Sequence, residues 1–177
     1  MAKLQILTLG DPRLRSTCAP VTHFDAELQT LADDMLETMH AAPGVGLAAP
    51  QVGRLIRMFV FDDGDETSGA LCNPTIVWRS EEVAEAEEGC LSIPGQYFPV
   101  ERHVAVKVEA FGVTGAAATF DAEGFLARIF QHEIDHLDGI LFIDRLSPDL
   151  RREAQRALMD QDFGLKPPPR RRPEEQL

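Results

Sequence analysis

Two histidines four residues apart, with a glutamate beside the first, are carried by the stretch Gln131-His132-Glu133-Ile134-Asp135-His136. On a helix, positions i and i+4 lie about 40° apart around the axis and one turn apart along it. His132 and His136 therefore project from one face, where two imidazoles can reach one ion. Glu133 stands about 100° round from His132, beside such an ion rather than on it, where a carboxylate can take a proton from an activated water. The same face runs back through Phe125 and Ile129, which sets the pair in apolar surroundings. The pattern also occurs on helices that bind nothing, so it needs a partner: a catalytic metal site has three protein ligands and one open position.

Three candidates for the third ligand present themselves. One metalloprotease pattern continues as H-E-x-x-H-x-x-G-x-x-H, and this chain follows it as far as Gly139 and breaks at Phe142. Another takes a glutamate from a later helix, but Glu153 sits in the polar stretch DLRREAQR, which reads as a solvated face. The remaining candidate, Cys90, lies upstream in EEGCLSIPG (87–95), a short extended piece punctuated by Gly89 and by Pro94-Gly95. A thiolate there would close the site from a strand facing the helix, and a small buried apolar side chain is the other reading. Spacing alone leaves both open. For Cys18 and Cys72 the core reading is preferred.

The elements that must hold these groups are legible in outline. Leu28, Leu31, Ala32, Met35, Leu36 and Met39 recur at three and four residues and predict an amphipathic helix, capped by Asp25 and stopped at Pro43-Gly44. RLIRMFVFDD predicts a buried strand, and ALCNPTIVWRS a second, interrupted at Asn73-Pro74 and so placed at an edge or a bulge. VERHVAVKVEAFG alternates as one half-buried strand, and GAAATFDAEG as a weaker one. EGFLARIFQHEIDHLDG predicts the metal helix, closed by Gly139. Ser147 would cap a last helix. The acidic run EEVAEAEE (81–88) reads as a solvated strand edge, with Glu88 adjoining the site as a possible partner to a ligand. Few strands are joined by helices, so the expected fold class is α+β, mainly antiparallel sheets packed around the helix that carries the H-E-x-x-H motif.

With 177 residues, the chain is expected to form one domain over 1–165, followed by a flexible Pro/Arg-rich tail at 166–177. The net charge of -12 argues against a nucleic-acid groove on the main body, so DNA is not an expected partner. The basic tail leaves open a transient contact with the ribosome, beside the plainer reading of a solvated tail. No apolar run is long enough to span a bilayer, and the first residues carry no apolar signal core, so no membrane partner is expected. Three cysteines without framework spacing fit a reducing compartment, and together these features predict the bacterial cytoplasm.

GVGLAAPQVG (44–53), EGCLSIPG (88–95) and QHEIDHLDG (131–139), in that order, closely resemble the three signature motifs of peptide deformylase. The resemblance extends to DPRLR (11–15) and LFIDRLSP (141–148), covers roughly residues 4–150, and leaves out the last helix and the tail. It implies an α+β fold and a metal-dependent hydrolase that removes the formyl group from the N-terminal formyl-methionine of nascent polypeptides. It assigns Cys90, His132 and His136 to the metal, and Glu133 to general acid–base work. Gln51 and the Leu91 backbone N–H become oxyanion donors, and Val45, Gly46, Gly89 and Leu91 the residues along which the peptide lies. The ion implied is Fe²⁺, with Zn²⁺, Ni²⁺ or Co²⁺ able to take its place. Without the resemblance, a turn cap is the preferred reading of Gln51, and GVG reads equally as a flexible loop. Two positions depart from the family pattern. Tyr97 stands where many relatives have arginine, the nearest here being Arg102, and Arg128 stands on the metal helix where an apolar residue is common. Arg128 is expected to face away from the methionine pocket or to line its rim. Two other functions remain in view: a metallopeptidase using Glu153, and a metal-binding or ribosome-associated module without catalysis. The intact Glu133 and Gln51 oppose the second of these.

Overall fold

The computed structural model describes residues 3–65 and 67–162. The run Met58-Phe59-Val60-Phe61 is apolar without alternation because the sheet that contains it is covered on both faces. Met58 and Val60 pack among Leu28, Ala32, Met35 and Met39 of helix α1 (Ala26–Ala41). Phe59 and Phe61 pack among Ile129, Phe130 and Ile134 of helix α2 (Gly124–Leu137). The Phe130 ring meets Phe61 edge-on at 4.9 Å and Phe120 at 5.6 Å, the arrangement that ring quadrupoles favour.

Five strands form that sheet: β1 (Gly46–Ala48), β2 (Met58–Asp62), β3 (Ser68–Arg79), β6 (Ala105–Phe111) and β7 (Ala117–Glu123), in the order β1-β2-β3-β6-β7. Between β3 and β6 the chain makes a separate hairpin of β4 (Val83–Cys90) and β5 (Ile93–His103). All strand pairs are antiparallel, so the fold is α+β as expected. Helix α3 (Pro148–Asp162) sets Leu150, Ala154 and Leu158 against a third apolar cluster that includes Leu14, Ile93, Phe98, Val100 and Phe142. The expected tail, 166–177, lies outside the described residues.

The ends of the helices follow the chain's own signals. Asp25 Oδ1 accepts from the Leu28 N–H at 3.0 Å at the start of α1. Ser147 Oγ accepts from the Leu150 N–H at the start of α3. After α2, Gly139 takes φ +74°, and the Ile140 N–H reaches back to the Asp135 carbonyl at 2.9 Å, a closure that needs the left-handed conformation.

One expectation is corrected, and two alternatives left open by the sequence are decided. The Val-rich stretch read as one strand is two, β5 and β6, in different sheets. Val104 makes the bend, and alternation survives it because both strands bury even-numbered residues: Val100 and Arg102, then Val106 and Val108. Of the two expectations for the Asn73-Pro74 interruption, an edge or a bulge, the bulge holds, and it lies in an interior strand. Asn73 adopts φ +51°, and its side-chain amide pairs with the Val21 N–H at 2.8 Å and the Val21 carbonyl at 2.9 Å. The GVG segment is no loose loop: Gly46 begins β1, paired with Phe61 of β2.

Gly139 and Gly64 separate two effects. Both have strongly positive φ, but a Cβ on Gly139 would stand 2.6 Å from the Arg15 carbonyl oxygen, while one on Gly64 meets nothing within 4 Å. Gly64→Ala is expected to lose about 1 kcal/mol from backbone strain alone. Gly139→Ala should lose at least about 2 kcal/mol, because the Arg15 backbone must also move. Equal denaturation midpoints for the two variants would refute the assignment.

Candidate metal centre

Nine of the fourteen residues of α2 are buried, on all sides of the helix, because the sheet, the hairpin and the chain after the helix each cover a face. Polar side chains on it must therefore find partners inside the protein. His132 Nδ1 lies 2.9 Å from Glu88 Oε2, so Nδ1 donates its proton to that carboxylate and Nε2 is the nitrogen left to bind an ion. The His132 ring stacks on Phe142 at 6.1 Å, the residue that breaks the longer protease pattern. His136 is 1% exposed, and burial holds its imidazole neutral, well below the usual pKa. The two imidazoles meet edge-on at 5.0 Å.

Cys90 ends β4 at the point where the hairpin register shifts after Gly89. Its sulfur lies 3.2 Å from His136 Nε2. Ligand atoms of Cys90, His132 and His136 all lie within 4.8 Å of one another. One sulfur and two imidazole nitrogens at such separations suit a tetrahedral ion, with bonds of about 2.3 Å to sulfur and about 2.0 Å to nitrogen. The electrostatics agree. Burial disfavours the His132 imidazolium, but Cys90, Glu88 and Glu133 together hold it well above its ordinary pKa. The pocket thus favours a positive charge between these donors, which a divalent cation would supply in place of the proton. Glu153 is exposed and takes no part in the group. Cys18 and Cys72 are core residues whose thiols burial pushes up to about 11.

Glu133 is 4% exposed, and burial pushes its carboxyl up to about 7. Its Oε2 has no hydrogen-bond partner among the described residues. The carboxylate lies against Gly46 of β1, where any Cβ would collide with Oε1, so glycine is favoured there by close approach. Gln51 is held in a 3-10 turn, Ala49–Val52. Its Oε1 accepts from the Ala48 N–H at 2.8 Å, and its Nε2 donates to Ser92 Oγ at 3.1 Å and faces the Cys90 sulfur at 3.5 Å. With the carbonyl end anchored, the amide nitrogen is the end presented to the site. Leu91 follows Cys90 in the turn of the hairpin, and its side chain would meet a Cβ on Gly44 at 2.7 Å. Val45 is 42% exposed. Gly89 lies beneath the Tyr97 ring, again with no room for a Cβ.

The surroundings of the pair are far more polar than the sequence suggested. Phe125 is exposed rather than lining the site. Glu88, expected beside the site as a partner to a ligand, does meet His132, but from a buried position rather than a solvated edge, and it also accepts from Arg102 Nε at 2.9 Å and Nη2 at 3.0 Å and from Arg128 Nη1 at 2.8 Å. Burial alone would raise its carboxyl, but His132 and Arg102 hold it far below the usual carboxylate range. Arg102 continues to Asp135 at 2.6 Å, and Asp135 to Arg145 at 2.6 Å. Arg102, Asp135, Arg145 and Ser92 were missed as members of the site. A charged residue three positions after His132 on a helix that closes with Gly139 was the available signal for Asp135. Nothing local marks Arg102 or Ser92.

A family model for polypeptide deformylase matches residues 3–152. The peptide deformylase of Acidothermus cellulolyticus is 47% identical over 164 residues, 93% of this chain and 90% of that protein. The crystal structure of a peptide deformylase from Legionella pneumophila superposes with a TM-score of 0.85 at 44% identity, covering 95% of this chain and all of that one. The Thermus thermophilus enzyme gives 0.85 at 42% identity over 92% of this chain and 99% of that one.

Removing Arg102 strips Glu88 of two donors inside the protein. Arg102→Met is expected to destabilise by about 3 kcal/mol or more. Arg13→Met, which breaks an exposed pair with Asp11, should stay within about 1 kcal/mol. Urea unfolding of the two variants measures the contrast, and similar losses would show that the buried cluster is unimportant to stability.

Proposed function

The chain belongs to the polypeptide deformylase family, hydrolases that remove the N-formyl group from nascent peptides, and we propose that Cys90, His132 and His136 hold the metal ion of that reaction while Glu133 carries its proton. The observation that supports this reading most directly is the convergence of one sulfur and two imidazoles beside a buried carboxylate with an unpartnered oxygen. When bound, the ion lowers the pKa of water and polarises the formyl oxygen.

The remaining work falls to the chain's own groups. Glu133 takes a proton from the water whose oxygen attacks the formyl carbon, and delivers it to the departing amine nitrogen. Formate and a free N-terminal amine are the products. The tetrahedral intermediate bears a negative oxygen, for which Gln51 Nε2 and the Leu91 N–H serve as donors. One such donor is typically worth about 3 kcal/mol of barrier. The formyl-methionyl peptide lies in extended form along Val45, Gly46, Gly89 and Leu91. Among the described residues β1 pairs with β2 alone, so its other edge, apart from the Ala48 N–H held by Gln51, faces no strand and suits such a peptide.

The donor set suits Fe²⁺ and equally Zn²⁺, Ni²⁺ or Co²⁺, and intrinsic affinity ranks zinc above ferrous iron. Fe²⁺ is proposed as the working ion on the family's account. Residues 1–165 are read as a single catalytic domain, acting in the bacterial cytoplasm with a transient contact at the ribosome.

Incubating the metal-loaded protein with formyl-Met-Ala-Ser should release formate without internal cleavage of the peptide. Internal cleavage would favour a peptidase, and no turnover a binding module. Glu133→Gln should retain the metal and lose at least about 100-fold in kcat, the range for a general base. Undiminished turnover in that variant would remove Glu133 from its role. Gly46→Ala should also keep its metal while lowering kcat, because the new methyl displaces the Glu133 carboxylate. A variant with wild-type kcat would show that β1 does not press on that group.

A further inference from the structure

Arg128 sits on α2 one turn before His132, and the chemistry above makes no use of it. Its side chain is 12% exposed. Nη1 donates to Glu88 Oε1 at 2.8 Å and to the Val100 carbonyl at 2.8 Å, and Nη2 donates to the Ala84 carbonyl at 2.8 Å. Ala84 and Glu88 belong to β4 and Val100 to β5, so one guanidinium grips both strands of the hairpin. It faces neither solvent nor an apolar pocket.

The hairpin ends in Cys90, and α2 carries His132 and His136. Whatever fixes the hairpin against the helix therefore fixes the sulfur against the two nitrogens. Arg102 ties β5 to α2 through Asp135, and Gln131 pairs with the backbone of His103 at 2.9 and 3.1 Å. Those ties all reach α2 from β5. Arg128 also reaches the backbone of β4, the strand that bears the sulfur. It also fixes Glu88 Oε1, while the other oxygen of the same carboxylate orients His132.

We infer that Arg128 is a positioning residue for the metal centre, clamping the cysteine-bearing hairpin onto the histidine-bearing helix at three points. The inference rests on the ligand assignment under Proposed function. Arginine suits this task because its planar fork spans separated acceptors, whereas the lysine ammonium is a compact point charge.

Two effects of Arg128 on a bound cation have opposite signs, which makes the inference decidable. As a nearby positive charge, Arg128 repels the ion, so on electrostatic grounds its loss should slow metal release. As a clamp it holds the donors together, so its loss should speed release. The experiment loads the full chain with Co²⁺, follows the thiolate-to-metal absorption band, and measures its decay after addition of excess chelator. Arg128→Met and Arg128→Lys are each expected to release cobalt about 10-fold faster or more, the usual scale for groups that orient a ligand, with the band shifted or weakened before chelation. Release from Arg128→Met at the wild-type rate or slower would overturn the inference. So would wild-type behaviour of Arg128→Lys, which keeps the charge and loses the fork, and is the variant to read should the methionine form fail to fold. Wild-type protein that takes up no cobalt, or shows no thiolate band, would instead overturn the ligand assignment beneath it.

Discussion

A carboxylate enters the interior of a protein only if its charge is met there, and Glu88 is the carboxylate on which this structure turns. Taking it from water is costly by several kcal/mol unless partners surround it. Its two oxygens receive four hydrogen bonds, two from Arg102 on β5 and one each from Arg128 and His132 on α2. Those donors come together only when the β4–β5 hairpin closes on the helix. The same closure carries Cys90 to within 3.2 Å of His136. The convergence of Cys90 on the two histidines and the satisfaction of a buried charge are thus one event. The hairpin has no wide sheet behind it to hold its angle, so a directional polar contact does what apolar packing alone leaves loose.

Helix α2 divides its sides among different tasks. Ile129, Phe130 and Ile134 press on the aromatic face of the five-stranded sheet and hold the helix rigid. His132, Glu133 and His136 turn toward the hairpin and β1. Asp135 turns away and joins Arg102 to Arg145, so the charge network passes around the helix. A helix with so little free surface cannot rotate without breaking either the core or the ion pairs. That immobility is what the proposed metal site, with three ligands from distant parts of the chain, requires.

Much of this was written in local sequence. The helix caps at Asp25 and Ser147, the left-handed closure at Gly139, the buried strand Met58–Asp62 and the spacing of His132 and His136 all follow from short-range rules, because caps, turns and periodicity involve residues close along the chain. The three motifs together pointed to Cys90, Gln51, Leu91 and Gly46 as well, although their spacing alone left Cys90 undecided between ligand and core. Alternation across Val104 concealed a change of sheet, since the even-numbered residues stay buried on both sides of the bend. Most of the acidic run is exposed, as it reads, but nothing within it announces that Glu88 will meet two arginines.

By itself, then, the sequence determined which side chains are available for chemistry, which segments are helices or strands, and the α+β class. Only the tertiary structure decided that the surroundings of His132 are ionic rather than apolar, that Gly46 makes room for Glu133, and that Arg102 and Arg128 turn inward. The reason is physical. The partner of a buried charge is chosen by proximity in space, between Glu88, Arg102, Arg128 and Asp135 on separate elements, and no periodicity along the chain encodes that choice.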